Sequence, residues 1–182
     1  MTKATFTNEE RALLADMKGK IFVSYECEKD PPFSRAYGNV RINTDAYSAE
    51  IRNETEPFPF FGETEDVSRF SCTKVNPSVP FRPAVVKDSQ IVPVNEKIIS
   101  AELITDTIDV NNGEYVFVFD AALILRTEKR TFMFARDIWF SENITIAEND
   151  DYDSIFPLET AKESLSNYGE YPVKATRSKA EA

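Results

Sequence analysis

The residues in this sequence that are best placed to act together in a reaction or to bind a metal are two aspartates, Asp120 and Asp137. Both lie in a stretch that predicts a β-hairpin turning at Glu128, which would place them opposite each other. Directly opposed carboxylates repel, and a protein can keep such a pair for a divalent metal or for acid–base catalysis. The pair predicts a Mg²⁺ or Mn²⁺ site. A different strand register, or neutralisation by Arg126 and Arg136, is the structural alternative.

An acidic run after this hairpin is the second candidate. Residues 137–161 contain seven acids and no base. The run lacks the glycine and the distal glutamate of an EF-hand calcium loop. It is interpreted as a binding surface for a basic protein, with a cation site or a solvated loop before a helix as alternatives. Its densest part consists of Glu148, Asp150, Asp151 and Asp153.

An aromatic segment is the third candidate. Residues 57–61 read Pro-Phe-Pro-Phe-Phe. Exposed aromatic side chains commonly anchor protein partners. Phe58, Phe60 and Phe61 are therefore predicted to form a binding patch, and packing into the core is the alternative.

The residues that are missing exclude several enzyme classes. The chain has no histidine, two cysteines and five glycines. Ser-His-Asp and Cys-His catalysis, His-ligated zinc and four-thiolate zinc or iron–sulfur sites are excluded. The glycines are too far apart for GxGxxG or a P-loop. No cofactor is expected apart from the Mg²⁺ or Mn²⁺ considered above, and a non-enzymatic role is favoured.

The charge balance points to the class of partner. Thirty-one acids against 21 bases give a net charge of −10, which disfavours non-specific binding to nucleic acid and favours a basic protein. The sequence shows no signal peptide and no stretch of 18 apolar residues, so a cytoplasmic protein without a membrane segment is expected. Cys27 and Cys72 are expected as free thiols in that compartment, although their pairing is left open.

The elements that must position these residues are mainly strands. Thr7 and Glu10 form a capping box that predicts a helix over residues 8–18. Apolar and polar residues alternate over residues 21–28, which predicts a strand with one solvent-exposed face. Pro57 and Pro59 cannot donate to a sheet ladder, so their segment is predicted as an extended connection and not a central strand.

Residues 96–147 predict the core of the sheet. Asn111-Asn112-Gly113 marks a turn, and three long strands follow one another as a meander. Residues 115–126 are apolar on both faces, which is typical of a strand covered on both sides. A second helix is predicted over residues 157–168, after Pro157.

The fold class predicted is therefore α+β. It is a mainly antiparallel sheet with an N-terminal and a C-terminal helix, and a barrel and a sandwich are the alternative arrangements. Residues 1–172 are expected to form a single domain and residues 173–182 a flexible tail.

The leading functional hypothesis is a non-enzymatic interaction protein. It would inhibit a nucleic-acid-handling enzyme such as a nuclease, or bind another basic protein, by presenting carboxylates where the enzyme expects phosphates. Anti-restriction and anti-CRISPR proteins of phages and mobile elements act in this way. The alternatives are a metal-dependent hydrolase using the paired aspartates and a β-barrel that binds a small ligand.

Overall fold

The computed structural model describes residues 1–31, 34–60, 62–136, 141–160, 162 and 171–182. For Phe60 the description is limited to the backbone. The elements are β1 (Thr2–Ala4), α1 (Asn8–Ala15), β2 (Ile21–Glu28), β3 (Arg35–Tyr37), β4 (Asn39–Thr44), β5 (Ser48–Phe60), β6 (Glu63–Val75), β7 (Ser89–Val110), β8 (Tyr115–Thr127), β9 (Thr131–Arg136), β10 (Asn143–Glu148), α2 (Tyr152–Ile155) and β11 (Val173–Glu181).

The sheet is mostly antiparallel, as predicted. Its strand order is β3-β10-β9-β8-β7-β2-β4-β5-β6, with β1 parallel to β8 and β11 antiparallel to β7. The described sheet is open, so the barrel arrangement considered from the sequence is not formed. Among the described residues, no helix is long and apolar enough to cross a membrane.

Strand β7 joins the two halves of the sheet. It is 22 residues long, and its first part pairs with β2 while its second part lies between β8 and β11. Next to it, β8 contributes Leu123 and Leu125 to one apolar cluster. Ala122 and Ile124 of β8 belong to a second cluster. Because successive strand residues point to opposite faces, β8 is covered on both sides, as its sequence predicted.

The predicted hairpin between β8 and β9 has the expected register. Leu125 lies opposite Phe132 and Leu123 opposite Phe134. The turn that precedes β8 is also where the sequence placed it, and Asn111, Asn112 and Gly113 all have positive φ there. The meander of β7, β8 and β9 is confirmed.

Helix α1 begins with the predicted capping box. The Glu10 amide donates to Thr7 Oγ1 (3.2 Å), and the Thr7 amide donates to Glu10 Oε2 (2.6 Å). The helix ends at Ala15, earlier than expected. Arg69 of β6 also binds Glu10, with an Nη2–Oε2 distance of 2.8 Å. The N-terminal helix is therefore fixed against the edge strand of the sheet.

The last ten residues correct the prediction of a flexible tail. Residues 173–181 form β11, which pairs with β7 from Val173 opposite Val110 to Glu181 opposite Glu102. Most side chains of this segment are small or polar, so the sequence shows only a weak strand pattern. Yet Val173 and Ala175 alternate with polar residues and pack against the second apolar cluster.

The C-terminal helix is described only in part. Residues 158–160 and 162 are helical and Pro157 directly precedes them, whereas residues 161 and 163–168 of the predicted 157–168 helix lie outside the described residues. A short helix that the sequence did not predict, α2, precedes it.

The proline-rich segment belongs to the end of β5. Strand β4 pairs with β5 only as far as Arg52, whereas β6 pairs with β5 as far as Phe60. Pro57 and Pro59 therefore lie where β5 has one strand partner, which proline tolerates. The segment is extended and not central in the sheet, as predicted, but residues 57–60 are part of a paired strand and not a connection.

Replacing Gly38 by Ala is expected to destabilise the fold by about 2–5 kcal/mol. Gly38 has φ +76°, and a Cβ there would lie 2.6 Å from the Ala84 Cβ. A left-handed conformation costs about 1–2 kcal/mol for a residue with a Cβ, and overpacking adds about 1–3 kcal/mol. Gly62→Ala is the matched control, because Gly62 has φ +84° and nothing within 4 Å of its Cβ position. Equal losses in urea denaturation would show that the contact with Ala84 is harmless.

Candidate functional site

Of the four clustered acids predicted as a binding surface, two form ion pairs in the structure and two do not. Glu148 pairs with Arg130 (3.0 Å), and Asp153 pairs with Arg177. Asp150 and Asp151 are exposed, and neither forms an ion pair with any residue in the described part of the chain. Arg130 and Arg177 therefore bind one of these acids each, and the two acids that form no ion pair within the described structure are Asp150 and Asp151.

These acids lie on one segment, residues 148–156, called here the acidic segment. Arg177 of β11 holds its far end. The guanidinium donates to both carboxylate oxygens of Asp106 (2.7 Å each) and to the carbonyl of Phe156 (2.8 Å). It also lies 4.3 Å from the centre of the Tyr152 ring. Burial alone would lower the pKa of Arg177, but the bonds to Asp106 and Asp153 raise it above the ordinary value.

The near end of the acidic segment is held by β9 and the turn before it. The amide of Thr131 donates to Asn149 Oδ1 (3.0 Å), and the amide of Asn149 donates to the Thr131 carbonyl (2.8 Å). Arg130 connects Glu148 to Glu96 at 2.8 Å. Because both ends are fixed, Asp150 and Asp151 are presented at defined positions.

Two clefts flank the acidic segment. The first, the β11 cleft, has a volume of about 530 Å³ and an apolar floor of Ile104 and Ile124. Its lining also includes Asp151 of the acidic segment and Lys179 of β11. The second, the β10 cleft, has a volume of about 450 Å³ and runs along the edge of β10. Asp150 lines both clefts.

The basic side of the β11 cleft is already partly neutralised. Arg126 and Lys179 share the carboxylate of Glu102, at 2.8 Å and 2.7 Å. The pKa of Glu102 is lowered, since these bonds and one from Ser100 outweigh the opposing effect of burial. These two bases therefore leave little uncompensated positive charge in the β11 cleft that could attract an anion.

Asp120 lies in the core as a structural anchor. It is fully buried and accepts hydrogen bonds from the Phe6 amide (2.8 Å), from Arg11 Nη2 (2.7 and 3.0 Å) and from Thr105 Oγ1 (2.6 Å). Both oxygens are thus used by donors of the protein itself. This ties the N-terminal segment to the centre of the sheet.

Only one member of the predicted metal pair, Asp120, belongs to the described residues. Asp137 lies outside the described residues, so its position opposite Asp120 stays a prediction. In the part of the chain that is described, no three His, Cys, Asp or Glu side chains group closely enough to hold a metal ion.

Arg136 is another buried charged residue, and it interacts electrostatically with Asp120. Burial lowers the pKa of this guanidinium to about 10, against the opposing effect of Tyr152, Asp120 and Asp106. The side chain therefore stays protonated at neutral pH. It lies 5.0 Å from the Phe119 ring centre and donates to Ser68 Oγ (2.8 Å).

The predicted aromatic patch is only partly described. Phe58 is half-buried and packs edge-on against Phe117, with ring centroids 6.3 Å apart, which matches the core-packing alternative. The side chain of Phe60 and all of Phe61 lie outside the described residues, so their part in binding stays a prediction.

A second acidic surface lies at the end of the β5–β6 hairpin, and the sequence analysis missed it. Five acids and no base lie between Arg52 and Arg69. This run of acids is the signal in the sequence, although the prolines and aromatics within it form a more prominent pattern. Two of the acids pair with these arginines. The other three form no ion pair within the described structure, and they are Glu63, Glu65 and Asp66.

Comparisons of the chain with protein-family models, with curated proteins and with solved structures gave no match.

Proposed function

We propose that this chain is an acidic, non-enzymatic interaction protein that binds a basic protein surface. The acidic segment is the main contact, and the acidic end of the β5–β6 hairpin is a second one. The partner proposed is a nucleic-acid-handling enzyme such as a nuclease, in the cytoplasm. The protein would then act as an inhibitor of the anti-restriction or anti-CRISPR kind.

The observation that carries this proposal is the state of Asp150 and Asp151. Both carboxylates are exposed and form no ion pair within the described structure, while the segment that bears them is held by Arg130 and Arg177. A fixed loop loses little conformational entropy on binding. Fixed charges of one sign also steer a partner of opposite sign.

The choice of a nucleic-acid enzyme rests on charge. Such enzymes bind phosphates with Arg and Lys. A net charge of −10 with exposed carboxylates at two surfaces suits that environment. Complementary charge of this kind gives fast, salt-sensitive association.

No specific observation favours the two alternative functions. For the hydrolase, the oxygens of Asp120 are already used by Arg11, Phe6 and Thr105. For the small-ligand barrel, the described sheet is open.

Replacing Asp150 and Asp151 together by Asn is expected to slow association with the partner by about three- to tenfold at low salt. The reason is that two uncompensated charges leave the surface, and steering depends on them. The difference should shrink at physiological ionic strength, where screening acts within about 8 Å. Asp153 is left unchanged because it pairs with Arg177.

The measurement begins with affinity capture from the native host by the wild type and by the double variant. Each captured protein is then purified, and its association rate is measured at low and at high salt. The double variant Lys18→Gln/Glu181→Gln is the control, because it removes an exposed ion pair outside the acidic segment without changing net charge. A partner that is not basic, or one whose association rate is equal for wild type and Asp150→Asn/Asp151→Asn, contradicts the proposal.

A further inference from the structure

Strand β11 has one edge without a strand partner in the described sheet. It pairs with β7 over nine residues without a bulge, and β7 is its one partner there. The Asn111 amide donates to the Pro172 carbonyl, and the Ala182 amide donates to the Ala101 carbonyl. The even-numbered residues of this segment therefore direct their main-chain groups toward β7. Because this direction alternates along a strand, the odd-numbered residues direct theirs outward.

The outward main-chain groups are free for another strand. Outside the pairing with β7, the main-chain groups of residues 173–181 make no hydrogen bond in the described structure. The residues that direct them outward are Val173, Ala175, Arg177, Lys179 and Glu181. A row of unpaired amides and carbonyls on a strand is a template for pairing with another chain.

The other edges of the described sheet are shorter, covered or interrupted. β3 has three residues. At the outer edge of β6, the Cys72 amide donates to Glu10 of α1 (3.2 Å). The first part of β7 contains Pro93, which has no amide hydrogen, and Asn95, which has φ +56°. Proteins protect sheet edges by such features, whereas β11 contains neither a proline nor a bulge.

The bases of β11 restrict the kind of strand that can pair with it. Lys174, Arg177 and Lys179 follow one another along the strand, and like charges directly opposite each other destabilise a strand pair. The basic partner proposed above is therefore unsuited to this edge. A second copy of β11 is suited to it only in a register that keeps these bases apart.

Such a register exists for an antiparallel pair of β11 strands. With Thr176 opposite Thr176, the outward groups of the two copies face each other. The other opposed pairs are Val173 with Lys179, Lys174 with Ser178 and Ala175 with Arg177.

This register separates the bases, and its alternatives are worse. A shift by two residues toward the C-terminus opposes Arg177 with Arg177, and a further shift opposes Arg177 with Lys179. A shift toward the N-terminus shortens the paired segment. The side chains of Thr176 and Ser178 are exposed, and cross-strand threonine pairs are favourable.

We propose that two copies of this chain associate through β11, with Thr176 opposite Thr176 on the two-fold axis. The pair adds about eight main-chain hydrogen bonds and joins the two sheets into one. Because the same surface is used on both copies, association stops at the dimer. One strand pair is a small interface, which is typical of weak association.

Sedimentation of the full chain over a range of concentrations tests the association. We expect a monomer at about 5 μM and mostly dimer at about 500 μM in about 0.5 M NaCl. Each copy carries a net charge of −10, so salt should strengthen the dimer by screening this repulsion. Salt should weaken association with the basic partner, which separates the two proposals. A monomer at every concentration and salt overturns the dimer.

Cross-linking tests the register. Opposed residues that do not exchange main-chain bonds have Cα atoms about 4.5 Å apart, which permits a disulfide. Thr176→Cys should therefore cross-link under oxidised glutathione at least about tenfold faster than Ser178→Cys, whose two copies would lie about 13 Å apart. Cys27 and Cys72 are buried and do not compete. Equal cross-linking of the two variants overturns this register.

A proline variant tests the use of the outward amides. Ala175→Pro removes an amide that points away from β7, a position where an edge strand tolerates proline. It should weaken the dimer at least about tenfold while the Tm falls little. Ala175→Ser is the matched control, because it keeps the amide. Equal dimer formation by the two variants shows that the copies associate elsewhere and overturns the proposal.

Discussion

Arg177→Met is expected to lower the free energy of unfolding by about 3–5 kcal/mol, which is the usual cost of breaking a buried ion pair. Asp106 is only 1% exposed and receives two bonds from Arg177. Without the guanidinium, its charge stays buried with those bonds unmade. The same substitution frees the far end of the acidic segment, because Asp153 and the Phe156 carbonyl lose their donor.

Urea denaturation measures this loss, and Lys179→Met is the matched control. Lys179 is a neighbouring base on β11 whose side chain is 43% exposed, and exposed pairs contribute about 0–1 kcal/mol. Adding Asp106→Asn to Arg177→Met should recover part of the stability, since it removes the buried carboxylate charge that has lost its partner. If Arg177→Met and Lys179→Met cost the same, the Asp106–Arg177 pair does not stabilise the fold.

Asp120→Asn is expected to cost about 2–4 kcal/mol, within the range for hydrogen bonds to a buried charged group. The amide keeps one acceptor oxygen but loses the charge that attracts Arg11. The cost is smaller than for Arg177 because the Arg11 side chain is 32% exposed and can be rehydrated. Thermal unfolding with and without Asp120→Asn measures the effect.

A double-mutant cycle with Arg11→Met assigns the cost to the pair, because the two losses should not add. The metal hypothesis gives a contrary result in the same experiment. If Mg²⁺ or Mn²⁺ raises the Tm of the wild type and Asp120→Asn abolishes the gain, Asp120 acts as a metal ligand. A gain in stability from Asp120→Asn without metal would show that its charge is strained.

The sequence predicts the local elements well because their signals are local. The capping box of Thr7 and Glu10 fixes the start of α1. The turn after residue 127 fixes the pairing of Leu123 with Phe134. In both cases the residues that decide the structure lie within a few positions of one another along the chain.

The candidate site depended on contacts between distant segments, and these were not predictable. Arg11 reaches Asp120 across 109 positions, and Arg177 reaches Asp106 across 71. No spacing rule identifies either pair. The strand β11 was missed for the same reason, because its weak pattern becomes a strand only beside the edge of β7.

The buried charges have a further consequence for strand alignment. β8 is apolar on both faces, so sliding it by one residue would exchange one set of apolar side chains for another at little cost. The hydrophobic pattern of β8 therefore does not by itself distinguish the two registers. The contact between Asp120 of β8 and Arg11 opposes this slide, because a shifted β8 would bury the carboxylate away from its donors. The contact between Asp106 of β7 and Arg177 of β11 opposes a slide between those two strands in the same way. Each carboxylate therefore favours one register of the strand that carries it, because the arginine that it binds lies on a different segment.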